Sequence, residues 1–144
     1  MACQLIDELT TAWPSFKFDT HAVAFGAATH DLGKALHPNE LTGAGSEHET
    51  SGHRWLLEHG VPEHLARFAR THAKWHNATI EDQLVSLADK VWKGRRQDDL
   101  EQLIVARIAA ASGEKPWDVF MKLDDVLSRI AAGADERLEF QQRP

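Results

Sequence analysis

A single cysteine, Cys3, is all that the chain carries. That excludes an internal disulfide and a cysteine-rich zinc module, and it points to a reducing compartment. Long apolar runs are also missing. The longest, Ala22 to Ala28, falls far short of the roughly 20 residues that a membrane-spanning helix needs. No basic-then-apolar leader opens the sequence, so the expectation is a cytoplasmic protein without a membrane partner. Positive charge is scarce: 16 Lys and Arg stand against 22 Asp and Glu, a formal net charge of -6. That argues against an extended nucleic-acid surface, because non-specific affinity for phosphate backbones comes from clustered Lys and Arg. A small anionic substrate remains compatible with local positive charge, for which Lys34, Lys90, Lys93, Arg95 and Arg96 are the candidates. Lys93, Arg95 and Arg96 read equally well as a solvated helix end, where cations suit the helix dipole.

Three enzyme classes lack their signatures. Gly43-Ala44-Gly45 matches neither glycine-rich phosphate fingerprint, and no strand-turn-helix nucleophile elbow occurs. His48-Glu49-Thr50-Ser51-Gly52-His53 approaches the zinc-protease pattern His-Glu-x-x-His with one residue too many. Its two histidines therefore stand about 140° apart around a helix instead of on one face.

What is present is helical periodicity almost throughout, with no convincing strand alternation. The 144 residues, 42% of them hydrophobic, suffice for one all-α domain with a real core. Its expected extent is 1–134, with a polar tail over 135–144. The pattern predicts helices from Cys3 to Trp13, from Asp19-Thr20 to the His30-Asp31 pair, and from a Ser46-x-x-Glu49 capping box to Gly60. Residues 35–45 read as a loop. A fourth helix from Pro62 to Trp75 would put Leu65, Phe68, Ala69, His72 and His76 on one face. Thr79 would cap a fifth, Ile80 to Lys93, whose Val85, Asp89 and Trp92 form a stripe in which the carboxylate is the odd member. Leu100 to Ser112 and Pro116 to Ala132 look like packing helices without a polar constellation, the last ended by Gly133.

Chemistry concentrates in His30-Asp31-Leu32-Gly33-Lys34, which follows the apolar run directly. A His and an Asp in such surroundings are costly unless something binds them, and a metal ion is the natural partner. Eight of the nine histidines lie between His30 and His76, a concentration that core packing does not require. The His-Asp-hydrophobic-Gly-Lys element resembles the signature of the HD-domain family of metal-dependent phosphohydrolases. Glu47-His48-Glu49 with Gly52, then Arg70-Thr71-His72, then Leu87-Ala88-Asp89-Lys90 are similar to that family's later motifs, in order, from about Phe18 to Arg96.

The resemblance implies an all-α HD-type domain with a metal site between its helices, holding one or two divalent ions. His/Asp ligation suits Mn, Fe, Co, Ni, Zn or Mg. It makes His30, Asp31 and Asp89 core ligands, and His48 and His72 ligands of a second ion, with Asp31 bridging. Catalytic roles fall to Asp31 and Lys34, and substrate phosphate to Lys34, Arg95 and Arg96. His76 supports a ligand, contacts substrate or is a half-exposed helix-end residue. Trp75 and Trp92 stack on a nucleobase or are core. The implied reaction is hydrolysis of a phosphate ester or anhydride in a nucleotide or related small metabolite. The competing reading is a catalytically silent HD-fold module that binds a nucleotide or a partner protein. Its support is that the family's upstream metal-binding histidine has no counterpart here. His21 lies nine residues before His30, on the opposite helix face. The upstream ligand is then expected before Met1, or from another group or water, or the first site stays incomplete.

Overall fold

The computed structural model describes residues 2–40 and 45–143. Among these there is no strand, so the fold is all-α, and no helix is long and apolar enough to cross a membrane. The helices are α1 (Ala2–Ala12), α2 (Thr20–Thr29), α3 (Glu47–Glu58), α4 (Glu63–Ala66), α5 (Phe68–Thr71), α6 (Ile80–Trp92), α7 (Asp98–Ser112), α8 (Pro116–Ala132) and α9 (Ala134–Gln142), with 3-10 turns at Leu32–Ala35 and Pro38–Glu40. The chain forms two compact units: Asp19–Val85, and the segments before and after it.

In the unit formed by the flanking segments, α8 packs against α1 and α7. The fully buried side chains there include Leu5, Leu9, Trp13, Leu100, Ile104, Ile108, Leu123, Leu127 and Ile130. Their three- and four-residue spacing on each helix makes the apolar stripe that the sequence pattern requires. α7 and α8 do carry a polar constellation, contrary to expectation. Arg96 forks onto the buried Glu101 through Nε at 3.1 Å and Nη2 at 2.6 Å. It also donates to Asp124 at 2.7 Å and to Ser128 at 3.1 Å. The expected polar tail is instead largely helix α9. Gly133 has φ of -87° and so does not make the left-handed stop; the chain runs on into a first turn carrying Asp135 and Glu136, which suits a helix N-terminus. Arg137 then donates to the carbonyls of Trp92 and Ile130, each at 2.9 Å.

In the Asp19–Val85 unit, Asp19 caps α2 by accepting from Ala22 N at 2.9 Å, as the sequence implies. The expected fourth helix is broken at Arg67 and ends at Thr71. The cause is the buried Asp82, which accepts from Arg67 Nε at 3.2 Å, Thr71 Oγ1 at 2.9 Å and Thr79 Oγ1 at 2.7 Å. It pulls the chain into a turn through Asn77, whose φ is 57°. His72 therefore stands at the helix end, and His76 is exposed in the turn rather than one helical step behind it.

The Leu32–Ala35 turn packs directly onto α3. A Cβ on Gly33 would collide with the carbonyl oxygen of His48 and lie 2.8 Å from Gly52 N, so only glycine permits this backbone approach. Gly33→Ala is expected to destabilise the fold by about 1–3 kcal/mol, the range for overpacking; a urea midpoint equal to that of the unmodified chain would contradict the close approach.

Candidate metal centre

Three histidines are anchored alike. His30 ends α2, and its Nδ1 lies 3.0 Å from Ala27 O. His72 ends α5, and its Nδ1 lies 3.2 Å from Phe68 O. His48, in the first turn of α3, sets Nδ1 at 2.5 Å from Glu40 Oε2. Carbonyl and carboxylate oxygens only accept, so each Nδ1 donates, and Nε2 is the nitrogen left to ligate an ion when the ring is neutral. Anchoring the far nitrogen in this way is how proteins orient imidazole ligands.

All three Nε2 atoms face Asp31. His30 Nε2 is 3.4 Å from Oδ2, while His48 and His72 Nε2 lie 3.6 and 3.8 Å from Oδ1. The latter two are beyond the usual hydrogen-bond length. Two donors that share one ion at about 2.0–2.1 Å in tetrahedral geometry are themselves about 3.4 Å apart, close to the spacing found. His48 Nε2 is buried and has no hydrogen-bond partner among the described residues. An orphaned lone pair in that position is costly unless it binds something. The residues therefore fit a divalent metal. The donor atoms of His30, Asp31 and His72 lie within 4.8 Å of one another, and so do those of His48, Glu49 and His72.

The electrostatics agree. Burial pushes the Asp31 carboxyl up, but hydrogen bonding and charge from His30 and Lys34 hold it well below the usual carboxylate range, so it is ionised near neutral pH. Lys34 Nζ reaches Asp31 Oδ2 at 2.9 Å. Burial raises the Glu40 carboxyl too, and the donors from His48 and Glu47 outweigh it, leaving it below its ordinary value.

Glu40 is a residue that the sequence reading missed, because the 35–45 stretch looked like a featureless loop. Ser46 makes no side-chain cap on α3. Glu40 does so in its place, accepting from Glu47 N at 3.1 Å and His48 N at 3.0 Å. Gly43-Ala44 and their two predecessors fall outside the described residues.

The structure thus brings together His30, Asp31, Lys34, His48 and His72. Asp89, Arg95 and Arg96 belong to the other unit. There Asp89, mostly buried, accepts from Lys93 Nζ at 2.8 Å, Arg95 is exposed, and the Arg96 guanidinium is engaged by Glu101, Asp124 and Ser128 as described. His76 stacks on Trp75 with centroids 5.3 Å apart, and His21 is exposed on α2.

A family model described as HD domain matches residues 2–108. The chain belongs to the HD-domain family. Membership places it in a superfamily of metal-dependent phosphohydrolases whose domains bind divalent ions. No curated protein and no solved structure matches the chain.

Proposed function

We propose that this HD-domain chain hydrolyses a phosphate ester or anhydride of a small metabolite, a nucleotide or a related compound. His30 and Asp31 would hold one divalent ion, and His48 and His72 a second, with Asp31 serving both. The observation that carries this reading is the convergence of three oriented Nε2 atoms on the two oxygens of Asp31. A bound ion supplies Lewis acidity toward a phosphoryl oxygen and makes water acidic enough to be a nucleophile near neutral pH.

The chain's own groups do the rest. Asp31 presents a different oxygen to His30 than to His48 and His72, so one carboxylate serves both sides of the cluster. The Nδ1 anchors fix the imidazoles with Nε2 aimed inward, with no reorganisation required when substrate arrives. Lys34, half-buried with its ammonium beside Asp31, offers a cation for the phosphate oxygens.

The test is a screen of nucleoside mono-, di- and triphosphates with Mn, Fe, Co, Ni, Zn and Mg added singly to the purified chain. Release of phosphate or pyrophosphate with at least one metal is expected; metal binding without turnover on any substrate would favour the silent module. Lys34→Ala is expected to raise KM about 10- to 100-fold, the equivalent of losing a charge-assisted hydrogen bond, with metal content retained. An unchanged KM would remove Lys34 from substrate binding.

A further inference from the structure

We propose that Glu49 is a metal ligand in this chain, completing a donor set of His48, Glu49, His72 and the Oδ1 of Asp31. This rests on the metal-dependent reading above and extends it to a residue whose apparent role in the sequence was different. Glu49 stands three positions after Ser46, where a capping-box glutamate would reach back to the helix start. Glu49 makes no such bond among the described residues, Ser46 makes no side-chain cap, and the first-turn amides of Glu47 and His48 go to Glu40 instead. The Glu49 carboxylate is half-buried and has no hydrogen bond or ion pair among the described residues.

Its environment points to a cation. A carboxylate oxygen of Glu49 lies within 4.8 Å of ligand nitrogens of both His48 and His72. The His48 side chain is only 7% exposed, its Nδ1 is held by Glu40, and its Nε2 is buried without a hydrogen-bond partner. A half-buried carboxylate beside an orphaned, inward-aimed imidazole nitrogen is stabilised by a shared divalent ion, which satisfies both at once. Two neutral imidazoles and two carboxylates balance the charge of one such ion. All four donors lie within Asp19–Val85, so this ion requires neither Asp89 nor a histidine upstream of His30.

The experiment is titration of the full chain with Co(II) alone, following the visible absorption and the number of ions bound. The unmodified chain, Glu49→Gln and the neighbouring Glu47→Gln are compared. Glu47 is exposed, so its variant makes the same charge change without touching the donor set. Glu49→Gln is expected to weaken one Co(II) at least about tenfold and to change its absorption, while Glu47→Gln leaves both unchanged. Equal binding and spectra for Glu49→Gln and the unmodified chain would overturn the assignment and leave the metal-dependent reading standing. Equal weakening by both substitutions would overturn it as a general charge effect. If the unmodified chain takes up no Co(II), this assignment and the metal-dependent reading fall together.

Discussion

Asp31→Ala is expected to remove bound metal and to lower phosphohydrolase turnover by on the order of a thousandfold or more, the scale of losing a group that organises transition-state charge. The expectation follows from the position of one carboxylate among three imidazoles. His30 is served by Oδ2 and the other two by Oδ1, so deleting it disconnects both halves of the cluster at once. The fold should survive. Asp31 is only partly buried and supports no helix end by a side-chain hydrogen bond, and its partners His30 and Lys34 retain access to backbone or solvent. A second readout separates metal loss from unfolding: adding Mn or Zn should raise the melting temperature of the unmodified chain, because an ion that binds only the folded state stabilises it by mass action. The same addition should leave Asp31→Ala unmoved, with its helical circular dichroism intact. Unchanged metal content after desalting would refute the assignment of Asp31.

The second large effect is expected from Glu40→Ala, a residue with no proposed contact to substrate. Glu40 accepts the Nδ1 proton of His48 and two amides at the start of α3. Without it the His48 ring loses the acceptor that fixes its tautomer, and the first turn of α3 loses its cap. Metal affinity should fall about 10- to 100-fold, as it does when the group that orients a ligating histidine is removed. Glu40→Gln keeps an acceptor oxygen and should recover part of that loss. Titration with Mn or Zn measures the affinity, and nitrogen-15 spectra of the histidines report whether His48 still carries its proton on Nδ1. A Glu40→Ala variant that binds metal as tightly as the unmodified chain, with the tautomer unchanged, would show that Glu40 is only a cap.

The all-helical class and most helix boundaries are legible in the sequence alone. α8 starts at Pro116 and ends at Ala132 as read, and α2 begins at the Asp19 cap. Such features are encoded within a few residues, by apolar spacing, proline at a first turn or a capping side chain. His30-Asp31-Leu32-Gly33-Lys34 was legible for the same reason, since adjacent residue types carry its chemistry. Tertiary structure alone decided the rest. Ser46 looked like the cap of α3, but Glu40 displaced it from outside the helix. His76 shares a helical face with His72 in the sequence pattern, but Asp82 at the start of the next helix draws Arg67, Thr71 and Thr79 into a turn that takes His76 off that face. Arg96 reads in the sequence as a phosphate-binding cation or a solvated helix end, yet Glu101 and Asp124 hold it. In each case the deciding partner lies outside the helical stretch whose pattern the sequence shows. A buried charge must find its counter-charge or its hydrogen bonds wherever the fold places them, and helical periodicity does not encode that location.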